Sequence, residues 1–222
     1  MKVAVCFSGH VRTFEKTSQS IRQHLLDKYD CDVFMHTWDV KGTTRKEDVG
    51  GLSPIDDASL NALCKIKTLM IEPQIQFDLE NHDCFLYART PPHNVKSKWY
   101  SAKKSFELSQ QSEIKYDVIV SVRPDMLFHE DVILSSREKV LFLPGNVKTP
   151  NGTLHDYFAF GDVSVMKSYF ELYDQFDDLC KNVAQFRPET IFTYHVLNKQ
   201  IDISFCQIEY SLVRLSGEIR RC

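Results

Sequence analysis

Along the chain, unbroken apolar runs alternate with stretches in which apolar residues recur every three or four positions. Val3-Ala4-Val5-Cys6-Phe7 and Val118-Ile119-Val120-Ser121-Val122 read as strands buried on both faces, as strands at the centre of a mostly parallel sheet are. Residues 31–38 read as a further strand. Between the first two of these in chain order, Phe14, Thr17, Ile21 and Leu25 repeat at helical spacing and predict a helix over about 14–29, with Thr13 placed to cap it. Strand, helix, strand favours a right-handed parallel crossover.

Further along, the pattern predicts a short helix over 56–65, a strand at 69–71 and a helix from Ser97 that buries Trp99, Ala102, Phe106 and Leu108 and ends before Tyr116. Strands follow at 140–143 and 156–161, a helix at 163–183, a helix from Pro188 to Lys199, and a last strand at 202–210. Residues 72–97 carry no readable period, and Pro91-Pro92-His93 reads as irregular chain lying over a site. The charged, glycine-containing stretch 39–53 predicts a mobile loop, and Thr149-Pro150-Asn151-Gly152 a turn. The expected fold class is therefore α/β: one domain spanning 1–222, with a mostly parallel, Rossmann-like central sheet flanked by helices.

Composition narrows the function classes. Hydrophobic residues make up 43% of the 222, enough for a full core, and the formal net charge of −3 gives no electrostatic case for nucleic acid or an anionic membrane. Short basic clusters, Lys96-Ser97-Lys98 and Lys103-Lys104, read as solvated helix face. Seven cysteines with no C-x-x-C pair favour free thiols in a reducing compartment, and no segment reaches the roughly 20 apolar residues of a membrane span, so a cytoplasmic protein is expected. The sequence contains no G-x-G-x-x-G, no P-loop, no G-x-S-x-G and no H-E-x-x-H, which removes the usual support for dinucleotide-binding, phosphate-loop, serine-hydrolase and zincin readings.

Candidate chemistry collects at the ends of predicted strands. Pro124 cannot donate to a ladder and holds its predecessor extended, so Arg123 and Asp125 should project from the carboxyl end of the 118–122 strand, the edge where open α/β sheets bind ligands. They could grip a diphosphate, the arginine directly and the aspartate through a divalent cation. The alternative is a salt bridge on an ordinary turn. Ser8-Gly9-His10-Val11-Arg12 leaves the first strand, where backbone amides and Arg12 could approach phosphate or ribose oxygens. His10 and His155 lie near strand ends. Asp156 and Glu189 open a strand and a helix, positions that a helix- or turn-stabilising acid also explains.

Taken in order, these features resemble a GT-A-fold glycosyltransferase, specifically the small enzymes of bacterial polysaccharide loci and large DNA viruses. Residues 3–14 resemble that family's nucleotide-binding opening, Phe34-Met35-His36-Thr37-Trp38-Asp39 its second strand, Val122-Arg123-Pro124-Asp125 the place of its Asp-x-Asp motif, Asp156-Tyr157-Phe158-Ala159-Phe160-Gly161 the strand beside the donor sugar, and Pro188-Glu189 the acid opening its catalytic helix. The resemblance implies transfer of a hexosyl or pentosyl unit from a UDP- or GDP-linked donor to a glycan hydroxyl. Ser8, Gly9, His10, Arg12, Arg123 and Asp125 would bind the donor, Mn²⁺ or Mg²⁺ would sit on Asp125, and Glu189 first, then Asp156, would serve as the catalytic carboxylate. Arg123 stands where the motif has its first aspartate, so a fixed positive charge replaces one metal contact, and the carboxy-terminal histidine that completes metal binding in many relatives has no match. A sugar nucleotidyltransferase and a non-catalytic sugar-nucleotide-binding scaffold are the alternative readings.

Overall fold

The computed structural model describes residues 1–222 except 43–52, 80–81, 87, 146–151 and 222. A seven-stranded sheet forms the middle layer, in the order β3-β2-β1-β4-β7-β6-β8. Its strands are β1 (Lys2–Ser8), β2 (Asp30–Trp38), β3 (Ile66–Glu72), β4 (Val118–Val122), β6 (Val140–Pro144), β7 (Ala159–Gly161) and β8 (Asp202–Cys206). Only β7 runs against its neighbours β4 and β6; the other pairings are parallel. The strand order changes direction at β1, with β2 on one side and β4 on the other, which makes the gap beyond the carboxyl ends of β1 and β4 a topological switch point.

Burial on both faces explains the continuous apolar runs. In β1, Ala4 and Cys6 face a cluster with Trp99, Phe106, Tyr169 and Phe192, while Val3, Val5 and Phe7 face Phe14, Ile21, Met126 and Tyr210 on the other side. The first layer is built by α3 (Pro92–Gln110), α4 (Val163–Phe170), α5 (Leu172–Lys181) and α6 (Pro188–Asn198), the second by α1 (Phe14–His24), α2 (Asp57–Leu63) and a small antiparallel sheet. That sheet pairs β9 (Tyr210–Val213) with both β5 (Met126–Phe128) and β10 (Ile219–Arg221). Gly161 allows α4 to lie close on β7, because a Cβ there would collide with Val165 and sit 2.8 Å from the Val140 carbonyl.

Several boundaries differ from the sequence expectation. α1 stops at His24, with a 3₁₀ turn at Leu26–Lys28, and Thr13 does not cap it through its side chain. α3 begins at Pro92 rather than Ser97, with proline in the first turn where its missing N–H costs nothing. The helix expected over 163–183 is two helices hinged at Glu171. The strand expected over 202–210 divides into β8 and β9, which belong to different sheets, and of 156–161 only Ala159–Gly161 is strand. The predicted loop at 39–53 and turn at 149–152 fall largely outside the described residues. No helix among the described residues is long and apolar enough to cross a membrane.

Candidate functional site

Where β4 ends, the chain turns through Arg123-Pro124-Asp125 into the small sheet. Two threonines on the first turns of α1 fasten this region: Thr17 Oγ1 donates to the Pro124 carbonyl at 2.5 Å and Thr13 Oγ1 to the Val213 carbonyl at 2.7 Å. Thr13 is thus spent on β9, which is why it leaves α1 without a side-chain cap. Val213 N–H donates to the Asp125 carbonyl at 2.9 Å, extending the β5–β9 pairing and setting Arg214 beside Asp125, 89 positions away in sequence.

Three guanidinium groups converge on that one carboxylate. Arg123 forks onto it, Nε to Oδ1 at 2.8 Å and Nη2 to Oδ2 at 2.6 Å, while Arg12 Nη1 and Arg214 Nη1 reach Oδ2 at 3.3 and 3.5 Å. Asp125 is 1% exposed. Burial alone would raise its pKa, but the arginines, Arg123 foremost, outweigh it and hold the carboxyl well below the usual range. Arg214 shows the opposite balance: burial and then the charge of Arg123 both act against its own, so it is a cation crowded by cations. The Arg123 guanidinium lies over the Tyr157 ring, 4.8 Å from its centre. Arg12 has φ of +36°, a left-handed conformation uncommon in a non-glycine residue, and its N–H donates to the Lys41 carbonyl at 2.7 Å.

Beside this cluster lies a second charged pair. β7 runs antiparallel to β4, so the segment before it returns to the same carboxyl edge and delivers Asp156, whose side chain is fully buried. Lys98 Nζ sits 2.5 Å from Asp156 Oδ2 and donates to the Asp156 carbonyl at 2.6 Å. Beyond the Lys98 ammonium, no group among the described residues donates to either carboxylate oxygen. Burial pushes the Asp156 carboxyl up and the Lys98 charge brings it below its ordinary value; the Lys98 ammonium is pulled down by burial, against the attraction of Asp156. Glu189, in the first turn of α6, is half-buried and lies within electrostatic reach of Lys98 and Tyr157. Its carboxylate takes part in no hydrogen bond or ion pair with a described residue.

The loop after β1 is braced from α3. Gly9, at φ +93°, donates its N–H to Ser101 Oγ at 2.7 Å, and Ser101 in turn meets His36 Nδ1 at 2.8 Å. His36 Nε2 lies 2.7 Å from Glu72, which also accepts from Tyr100. Ser8 ends β1 opposite His36. His10 lies beside the end of β2, with its ring centre 6.4 Å from that of Trp38 and Nδ1 3.1 Å from the Val40 carbonyl.

Of the residues singled out from sequence, Arg12, Arg123 and Asp125 therefore meet directly, Asp156 and Glu189 border them, and Ser8, Gly9 and His10 form the adjoining wall. Arg214 is not foreseen as part of the site, and Tyr157 only as a member of the segment expected beside the donor sugar. The basic cluster around Lys96 and Lys98 is a correction: Lys96 is 9% exposed and paired with Asp177, and Lys98 serves Asp156, so this face of α3 is packed, not solvated. Both Asp125 oxygens, where a bridging cation was expected, accept from guanidinium N–H groups. Among the described residues no three His, Cys, Asp or Glu side chains group closely enough to hold a metal ion. The six described cysteines are free, and burial pushes the Cys6, Cys31, Cys64 and Cys180 thiols up to about 12, far from nucleophilic at neutral pH.

Two shallow cavities of about 510 and 520 Å³ open at the opposite, amino edge of the sheet around Arg22 and Asp27. Their walls offer one exposed ion pair, 4.0 Å apart, and no convergent buried polar groups, so the carboxyl-edge arginines mark the candidate site. The chain matches no protein-family model and no curated protein.

His155, which touches the Tyr210 hydroxyl at 3.1 Å, gives the site a pH signature. Burial brings its pKa down to about 4, so the folded protein keeps it neutral while the unfolded chain takes up a proton near its ordinary value of about 6.5. Stability contributed this way is complete above about pH 6.5 and is lost as pH falls toward 4, at up to about 1.4 kcal/mol per pH unit. His36 and His195, also lowered by burial, add to the same slope. Urea unfolding across this range should be distinctly flatter for His155→Gln, and equal slopes would show that His155 does not titrate with folding.

Proposed function

We propose that this protein is a glycosyltransferase that moves a sugar from a nucleoside diphosphate donor, UDP- or GDP-linked, to a hydroxyl of a glycan acceptor. One observation carries the reading: arginines from the β1 loop, the β4 turn and the end of β9 gather on a single buried carboxylate at the switch point of the sheet, with Glu189, whose carboxylate bonds to no described residue, at the border. In the reaction the bond between the sugar's anomeric carbon and the diphosphate oxygen breaks, and negative charge develops on the departing diphosphate. Guanidinium groups held in place before reaction stabilise that charge without reorganising. The acceptor oxygen bonds to the anomeric carbon and gives its proton to Glu189 if configuration inverts; if it is retained, the proton passes to the departing diphosphate oxygen and Glu189 orients the acceptor. Asp156 is the second candidate, less apt because Lys98 already neutralises it. The order of sequence features, which resembles the GT-A-fold enzymes, supports the same reading.

Incubating a panel of UDP- and GDP-sugars with glycan acceptors and measuring nucleoside diphosphate release tests this. One donor should give release that rises with acceptor. Binding without release would make the protein a sugar-nucleotide-binding scaffold, and pyrophosphate or nucleoside triphosphate turnover a nucleotidyltransferase.

A further inference from the structure

We propose that the donor diphosphate is held directly by guanidinium groups, those of Arg123 and Arg214 with Arg12 beside them, and that no divalent cation bridges it to Asp125. This rests on the donor reading above. Asp125 accepts from Arg123 through both oxygens, and Oδ2 is shared further with Arg12 and Arg214. A divalent cation demands six or more oxygen ligands at about 2.0–2.6 Å and brings waters with it. To reach Asp125, which is 1% exposed, it would have to displace the Arg123 fork and then sit against three positive groups. Both steps are unfavourable.

The same geometry suits an anion. Arg123 and Arg214 alone already exceed the single negative charge of Asp125, and Arg214 carries its charge under repulsion from Arg123. A diphosphate joined to a sugar and a nucleoside carries one negative charge on each phosphorus. It relieves that repulsion, and its oxygens can accept from Arg214 and from the Arg123 N–H groups that the fork onto Asp125 leaves over. Tyr157 packs against the Arg123 guanidinium, and Thr13 and Thr17 at the start of α1 hold the backbone on either side of the cluster. Asp125 is then a positioning residue: it holds the arginines together and touches no phosphate.

Calorimetric titration with inorganic pyrophosphate, UDP and GDP, in EDTA and again in Mn²⁺, decides the matter without relying on turnover. The expected result is affinity that agrees within about threefold between the two buffers. It should also fall by about tenfold or more in Arg214→Gln and in Arg12→Gln, one charge-assisted contact being worth roughly that factor, and recover in part in Arg214→Lys. Affinity that drops more than about tenfold in EDTA and returns with Mn²⁺ overturns the proposal while leaving the glycosyltransferase reading intact. Absence of binding by all three probes in both buffers overturns the diphosphate cleft itself. Should the arginine variants fail to fold, the unaltered protein compared in the two buffers still either supports the proposal or overturns it.

Discussion

Glu189→Gln is expected to cut turnover by about 10²- to 10⁴-fold while leaving the melting temperature nearly unchanged and donor binding intact. The two roles open to an acid in the first turn of a helix differ in size and in kind. As a charge complementing the helix end, Glu189 would contribute roughly 0.3–1 kcal/mol to stability and nothing to chemistry. As the group that takes the acceptor proton, it would contribute little to stability and most of the rate. The half-buried carboxylate, without a hydrogen bond to any described residue and within reach of the Lys98 charge, has the availability a base needs. Stopped or quenched turnover of Glu189→Gln beside its thermal melt separates the two. A variant that turns over near the normal rate and melts slightly lower would make Glu189 a helix-end residue only. Asp156→Asn is the informative companion, because it leaves the partly buried Lys98 without its charge partner and should destabilise the fold as well as slow the reaction.

Asp125→Asn should destabilise the protein by about 3–5 kcal/mol, the range seen when one partner of a buried ion pair is removed. The amide cannot neutralise the guanidinium groups that now converge on the carboxylate, and it offers one acceptor where two are in use. The wild-type carboxyl, held below its ordinary pKa by Arg123 first among the arginines, contributes stability above about pH 3.9 that is lost as pH falls through its folded value. That part of the acid unfolding should vanish in the variant. Pyrophosphate should raise the melting temperature of Asp125→Asn more than that of the parent, since it restores negative charge among the arginines. A variant as stable as the parent at neutral pH would show that the cluster is not held together by this carboxylate.

How much of this was legible in the sequence depended on how local each cause was. β1 and β4 are readable because burial on both faces leaves a nearly continuous apolar run, β2 through its shorter run Val33-Phe34-Met35, and Arg123-Pro124-Asp125 because proline imposes the strand end. Strand β5 was missed: three residues behind a proline give too short a pattern to detect. The break between α4 and α5 is invisible to periodicity, since both helices bury their apolar faces in the same core and Glu171 keeps helical dihedrals. β8 and β9 read as one strand because nothing local says that Ile208 lies between two sheets. In the site, Arg12, Arg123 and Asp125 stood out as loop residues at strand ends. Arg214 did not, because the register of β5 on β9 alone brings it to Asp125. Lys98 was misread because two lysines at short spacing look the same whether a helix face meets water or a buried aspartate from the segment before β7.

The most direct measurement is a crystal structure of the protein with UDP or GDP bound. Both phosphates should lie at the carboxyl edge between the β1 and β4 loops, within hydrogen-bond distance of Arg123 and Arg214, with the base along the Ser8–Arg12 wall and Glu189 facing the space beyond the terminal phosphate. A nucleotide lodged instead in the amino-edge grooves around Arg22 and Asp27, or with its phosphates turned away from the arginines, would contradict this arrangement.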